Sequence, residues 1–285
     1  MTTRMPVAFI GHGSPLNALE SNRYTQAWAA LGASMPTPRA ILSISAHWFI
    51  NATAVTAMPS PRTIHDFFGF PQELFDVEYP APGLPELTEE IADLARPKWV
   101  GGDVDSWGID HGTWSVLTHM FPDANVPVVQ LSLNAYKPLE YHVELGASLA
   151  SLRDAGVLIV GSGNIVHNLR SMDSSKPTEG FDWAQRFDEA AGEVLRDRPG
   201  DAAVLQEHPD FAKAVPTPDH FLPMLHFAGL LAASGEQPDV LVGGVDYGSL
   251  SMTAYTAGAQ CPSGAENGGH GARLSDSTDP PNTNL

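Results

Sequence analysis

Met5-Pro6-Val7-Ala8-Phe9-Ile10-Gly11-His12-Gly13-Ser14-Pro15 is the stretch on which the reading of the whole chain turns. Val7–Ile10 is a short apolar run with β-branched and aromatic members, bounded by Pro6 and Gly11, and it predicts a buried strand. His12 follows between two glycines. With no Cβ on either side of the imidazole, the backbone can turn sharply and another group can approach closely. Open α/β sheets bind ligands outside the carboxyl ends of their strands, and His12 stands at the first such exit. A lone histidine is more often a satisfied structural residue than a ligand. The question is whether other strands deliver the same thing.

They do. Ala40–Ser45 predicts a second strand that runs into Ala46-His47-Trp48, with Phe49–Ala57 continuing as a strand. Val157–Val160 is the most strand-like segment of the chain, and it exits into Gly161-Ser162-Gly163-Asn164-Ile165-Val166-His167-Asn168. That exit lacks the length and the Lys-Ser/Thr ending of a phosphate loop, and the chain has no dinucleotide fingerprint. In Asp110-His111-Gly112-Thr113 the threonine can cap a helix running to about Met120. His111 then falls just before a helix N-terminus, whose positive end favours a neutral imidazole. Pro216-Thr217-Pro218-Asp219-His220 leads into a Leu-, Met- and Ala-rich helix over Phe221–Ala233. His65, His119, His142, His208 and His226 sit in polar or helical contexts without a strand-exit signature and are read as structural.

Further helices are predicted over Asn22–Leu31, Pro85–Ala95, Leu139–Leu152 and Phe181–Arg196, and further strands over Lys98–Gly101, Val126–Leu133, Val240–Val242 and Leu250–Tyr255. Residues 59–83 form a long irregular stretch containing His65-Asp66-Phe67-Phe68-Gly69-Phe70-Pro71. Such a loop suits one wall of a pocket for a flat apolar ligand, and equally a packed surface excursion. Alternating strands and helices predict an α/β fold: a single domain over residues 1–257, with a mixed, mostly parallel sheet flanked by helices. The site would lie at the strand C-terminal edge. Residues 258–285, rich in Gly, Ser, Asp, Asn and Pro, offer little to bury and are expected to form a disordered tail, with His270 outside any site.

Acidic residues outnumber basic ones 33 to 15, a formal charge of −18. That surface repels nucleic acid and anionic membranes, so neither is expected as a partner. No apolar run approaches the roughly 18–20 residues that span a bilayer. The N-terminal apolar patch is too short for a signal-peptide core, so a cytoplasmic location is expected. The lone Cys261 excludes an intramolecular disulfide and a thiolate-cluster metal site. Histidines and carboxylates must hold any metal. Converging at one sheet edge, His12, His47, His111, His167 and His220 would make a nitrogen-rich site suited to zinc, iron, copper or nickel. Open positions on such an ion serve Lewis-acid hydrolysis by zinc or oxygen activation by ferrous iron. The residues alone leave the metal open.

Gly11-His12-Gly13-Ser14-Pro15, Ser45-Ala46-His47-Trp48, Gly69-Phe70-Pro71 with Tyr79-Pro80-Ala81-Pro82-Gly83, Asp110-His111-Gly112, Ser162–Asn168 and Pro218-Asp219-His220 stand in one order over roughly residues 5–256. In these six motifs the chain resembles the DODA-type (4,5-DOPA) extradiol dioxygenases of the class III, LigB-like ring-cleavage superfamily. The resemblance implies that His12, His47 and His220 hold the metal and that His167 is the acid/base residue. It places His111 on the oxygen or substrate side of the pocket. Class III enzymes commonly use two histidines and a glutamate; here His220, beside Asp219, stands at the third position, as in the DODA-type branch. The implied cofactor is Fe(II) for activity. Zn(II) is often found in this branch, with His167 as a fourth ligand in the resting site. The implied substrates are O2 and a small catechol, opened to a muconic semialdehyde. The Phe67–Phe70 aromatics suit a flat ring, but no residue marks a partner for an amino-acid carboxylate, and the oligomeric state is left open. Two other readings compete: a zinc hydrolase on the same histidines, and a catalytically silent LigB-like binding protein.

Overall fold

The apolar runs of the sequence become strands buried on both faces, between two layers of helices. The computed structural model describes residues 4–259 and 270–272. In chain order the elements are β1 (Val7–Gly11), α1 (Arg23–Ser34), β2 (Ala40–Ile50), β3 (Ala54–Thr56), the short α2 (Gln72–Phe75), α3 (Pro85–Leu94), β4 (Gly101–Asp103) and α4 (His111–Met120). There follow β5 (Val128–Asn134), α5 (Leu139–Ser148), β6 (Val157–Gly163), α6 (Asp182–Asp197), the short α7 (Phe211–Ala214), α8 (Leu222–Ser234), β7 (Asp239–Val242), β8 (Val245–Asp246), β9 (Leu250–Ser251) and β10 (Ala254–Ala257).

Eight strands form one sheet in the order β4-β3-β5-β2-β6-β1-β10-β7. The β1–β6, β2–β5, β2–β6 and β3–β4 ladders are parallel, and the β1–β10, β10–β7 and β3–β5 ladders antiparallel. The fold is the expected single-domain, mixed and mostly parallel α/β sheet. Side chains alternate between faces along each strand. Val7, Phe9, Leu42 and Ile159 point to the layer holding Phe187 and Phe227 of α6 and α8. Ala8, Ile10, Ile41 and Leu158 point to the layer holding Trp28 and Trp114 of α1 and α4. Burial on both faces explains why these strands read as continuous apolar runs.

Several boundaries differ from the sequence reading. β2 does not stop at Ser45 but continues to Ile50, with a register break against β5 between Ile44 and Phe49, so His47 lies within the strand. The strand expected at Lys98–Gly101 falls at Gly101–Asp103, at the edge of the sheet. The helix from Leu139 ends at Ser148, and a 3-10 turn covers Ala150–Arg153. Leu250–Tyr255 divides between β9 and β10 because Met252 and Thr253 turn the chain. Asn22 does not join α1 but caps it, its side chain accepting from the Tyr24 and Thr25 N–H groups.

Of residues 258–285, only Gly258, Ala259 and His270–Ala272 are described; the rest of the expected tail lies outside the described residues. The Gly271 N–H donates to Asp246 Oδ2 (2.6 Å) and the Ala272 N–H to Asn17 Oδ1 (2.9 Å). No described helix is long and apolar enough to cross a membrane.

Candidate metal centre

Three adjacent strands of the sheet, β2, β6 and β1, carry the site. His12 follows β1, and its N–H donates to the Gly163 carbonyl (3.1 Å), one step beyond the end of the strand. Gly13 takes a left-handed φ of +62°, turning the chain away directly after the imidazole. His47 sits on β2 within the register break between Ile44 and Phe49. His220 lies in the turn before α8, its carbonyl accepting the Asn164 N–H at 2.8 Å from the β6 exit. His167 follows the same exit and is anchored by its N–H to the Ala214 carbonyl (2.9 Å). His111 opens α4. All five side chains are buried, and with Phe70, Leu169 and Leu250 they line one pocket.

The five histidines singled out in the sequence therefore meet. His12 and His47 bring their Nε2 atoms to 3.1 Å. The His220 ring lies 5.3 Å from that of His12 and 5.0 Å from that of His47, centroid to centroid. One donor atom from each of these three lies within 4.8 Å of the others. His167 stacks on His220 with centroids 3.5 Å apart and planes 4° from parallel.

The hydrogen bonds behind the rings decide what the nitrogens can do. Ser162 spends its hydroxyl hydrogen on the Gly112 carbonyl, so its Oγ accepts from His12 Nδ1–H (3.0 Å). Asp66 Oδ2 takes the Nδ1–H of His47 (3.1 Å), and Asp219 takes that of His220. These tautomers, assigned from the network, place the lone pair of all three rings on Nε2. Two such lone pairs 3.1 Å apart repel unless a cation lies between them. The donor set thus fits a divalent ion held by three imidazoles, each fixed from behind by a hydroxyl or carboxylate.

Electrostatics agrees. Burial, then the neighbouring imidazoles of His47, His220, His111 and His167, hold His12 well below its ordinary value. Burial and then His220 do the same to His167. His220 is lowered by burial despite Asp219, and His111 by burial despite Asp66. His47 is also pulled down by burial, but the Asp66 carboxylate outweighs it and the net shift is upward. Asp66 and Asp219 are pushed up by burial yet end below the carboxylate range because His111 and His47, and His220, face them. The nitrogens of His12, His220, His111 and His167, kept neutral by burial and set among ionised carboxylates, attract a dication.

Two expectations need correction. Thr113 is not the cap of α4: Asp110 is, its Oδ1 accepting the Thr113 N–H (3.2 Å), which makes His111 the first residue of the helix. His111 is lowered as expected, and burial comes first among the causes. Asp66 was not among the candidates at all. It lies in the loop read as a pocket wall or a packed surface excursion, and no local spacing links it to His47 or His111. Phe70 of that loop does line the pocket, and Phe67 meets His111 edge-on at 5.4 Å. The histidines read as structural lie outside the centre. His119 bonds the Asn17 carbonyl (2.7 Å), His65 the Val77 carbonyl (2.9 Å), and His208 accepts from the Asp210 N–H (3.1 Å). His142 and His226 pack edge to face between α5 and α8, 5.1 Å apart.

The chain is 45% identical over 262 residues, 90% of its length and 96% of the other's, to a 4,5-DOPA dioxygenase extradiol of Escherichia coli (strain K12). It is 36% identical over 257 residues, 87% of its length and 94% of the other's, to a 4,5-DOPA dioxygenase extradiol of Beta vulgaris. A crystal structure of an uncharacterized protein from Escherichia coli K12 superposes with a TM-score of 0.78 at 40% identity, covering 90% of this chain and all of that one. The model of the catalytic LigB subunit of aromatic ring-opening dioxygenase matches residues 10–255, a span that begins beside His12 and takes in every histidine of the centre. Fold, donor set and sequence lead to one conclusion: the chain belongs to the LigB family of aromatic ring-opening dioxygenases.

Proposed function

We propose that this protein is an extradiol dioxygenase that opens the ring of a small catechol of the DOPA type with O2, using a divalent metal held by His12, His47 and His220. The observation that carries the reading is the convergence of three imidazoles whose Nδ1 atoms are all engaged from behind, leaving only Nε2 to face an ion. Fe(II) is the metal proposed for activity, and Zn(II) suits the same donors. When bound, a ferrous ion supplies a Lewis-acid seat for the diol and the redox path by which O2 reacts with an aromatic ring.

The protein's own groups supply the rest. Phe70, Leu169 and Leu250 give the pocket apolar walls that suit a flat ring and keep water from it. His167, neutral because burial and His220 disfavour its cation, is the proposed proton acceptor for a diol hydroxyl. Negative charge developing on the diol oxygen raises its proton affinity at the moment of transfer, and the same ring returns the proton during rearrangement. His111 faces the substrate side of the pocket from the start of α4. The names of the relatives give no support to a zinc hydrolase or a silent binding protein over this reading.

Oxygen uptake by anaerobically iron-loaded protein, offered a small panel of catechols beside a zinc-loaded control, tests it. Uptake with a yellow ring-opened product from the iron form alone is expected. No uptake with any catechol, together with ester or amide cleavage by the zinc form, would replace it with the hydrolase.

A further inference from the structure

One carboxylate serves two histidines. Asp66 Oδ1 accepts from His111 Nδ1 (2.8 Å) and from the His111 backbone N–H (3.2 Å), while Oδ2 accepts from His47 Nδ1 (3.1 Å). The two rings lie 3.8 Å apart, centroid to centroid, and the Asp66 side chain is only 10% exposed. An ionised carboxylate accepts and never donates, so both rings must turn Nδ1–H towards it, which places their lone pairs on Nε2. Asp219, by contrast, backs His220 alone among the three proposed ligands.

We propose that Asp66 is a positioning residue that sets the tautomer and orientation of His47 and His111 together. It ties the grip on the metal to the orientation of the group facing the substrate. The part concerning substrate rests on the ring-opening reading; the part concerning tautomer and metal stands on the hydrogen bonds alone. With Nε2 bare, His111 accepts a hydrogen bond from a diol hydroxyl and, while neutral, donates none to an oxygen anion.

Asp66→Asn in the full-length protein tests this. Its amide oxygen can satisfy one ring, but its NH2 group then faces the other and forces that ring into the Nε2–H form. Long-range 1H–15N spectra of the metal-free wild type should show Nδ1–H on both His47 and His111. In Asp66→Asn at least one ring should switch. Zinc Kd, measured by chelator competition, should rise 10- to 100-fold, the usual cost of losing a partner behind a metal ligand. In the iron form, KM for the catechol should rise roughly 3- to 10-fold, the worth of one hydrogen bond. In a His111→Ala background, where the Asn amide oxygen can serve His47 alone, Asp66→Asn should cost less zinc affinity and add nothing further to KM. Unchanged tautomers, unchanged zinc affinity or fully additive KM effects would overturn the proposal. If the variant fails to fold, an Nε2–H on either ring of the wild type overturns it by itself. If the wild type consumes no oxygen with any catechol, the ring-opening reading falls, while the spectra and zinc affinities still decide the role of Asp66.

Discussion

Gly163→Ala tests whether the centre depends on a close backbone contact behind two of its proposed ligands. Gly163 ends β6, and a Cβ there would lie 2.2 Å from the His220 carbonyl oxygen and 3.1 Å from Pro223 Cγ. Non-bonded heavy atoms sit comfortably at roughly 3.5–4 Å, so the His220 carbonyl must retreat by about 1 Å or more. That oxygen also accepts the Asn164 N–H (2.8 Å), and the carbonyl of Gly163 itself accepts the His12 N–H (3.1 Å). One methyl group therefore wedges apart the backbone anchors of two proposed ligands. Overpacking of this kind costs about 1–3 kcal/mol of stability, which the fold should survive. A misplacement of about 1 Å costs turnover about 100-fold. Thermal melts, zinc affinity and oxygen uptake should be measured together, with Gly200→Ala as the control, since its new Cβ would meet only the Ala232 Cβ at 3.6 Å. A folded Gly163→Ala protein that binds zinc and consumes oxygen as the wild type does would refute the reasoning.

Other outcomes follow from the same geometry. His167→Ala should abolish turnover with metal content near normal; loss of the metal would instead make His167 a ligand. Zinc at 100 times its Kd should raise the unfolding free energy by about 2.7 kcal/mol, an increment that chelation reverses and that His47→Ala lacks. His226, lowered from 6.5 to about 4 by burial, takes up a proton on unfolding before it can in the folded state. Its contribution is intact above pH 6.5 and is lost as the pH falls towards 4, by about 3 kcal/mol at the lower limit. His226→Leu should flatten the decline of the urea midpoint between pH 6.5 and 4; an unchanged pH slope would contradict this.

The sheet and the histidines were legible because both follow from local signals. Val7–Ile10 and Val157–Val160 are apolar over their whole length since parallel strands are buried on two faces, and each runs into glycine where the chain must turn. His47 showed its strand but not its place within it. The register break after Ile44 that sets the histidine's position depends on pairing with β5, which the β2 sequence does not encode. Asp66 was invisible for a related reason. It meets His111 across 45 positions of chain through an irregular loop, and no periodicity marks such a partner. The cap of α4 was misjudged by one turn because Asp110 and Thr113 are both good capping residues, and burial of the Asp110 carboxylate beside Ser45 and Gln130 favours the first. The tautomers depend on which acceptor lies behind each ring, and that appears only in the folded network.

The proposed ligands come from the beginning and from near the end of the chain: His12 and His47 are synthesised early, His220 long after. A nascent chain thus offers passing metal ions two separate imidazoles and no chelate, and a three-nitrogen seat appears only when β1, β2 and β6 lie side by side and α8 has docked on them. Copper binds nitrogen sites more tightly than iron or zinc. Postponing the chelate until the pocket walls are built limits early capture of the wrong ion. Because no local segment carries two of the three donors, loosening any one segment takes away a single nitrogen and leaves the other two in place.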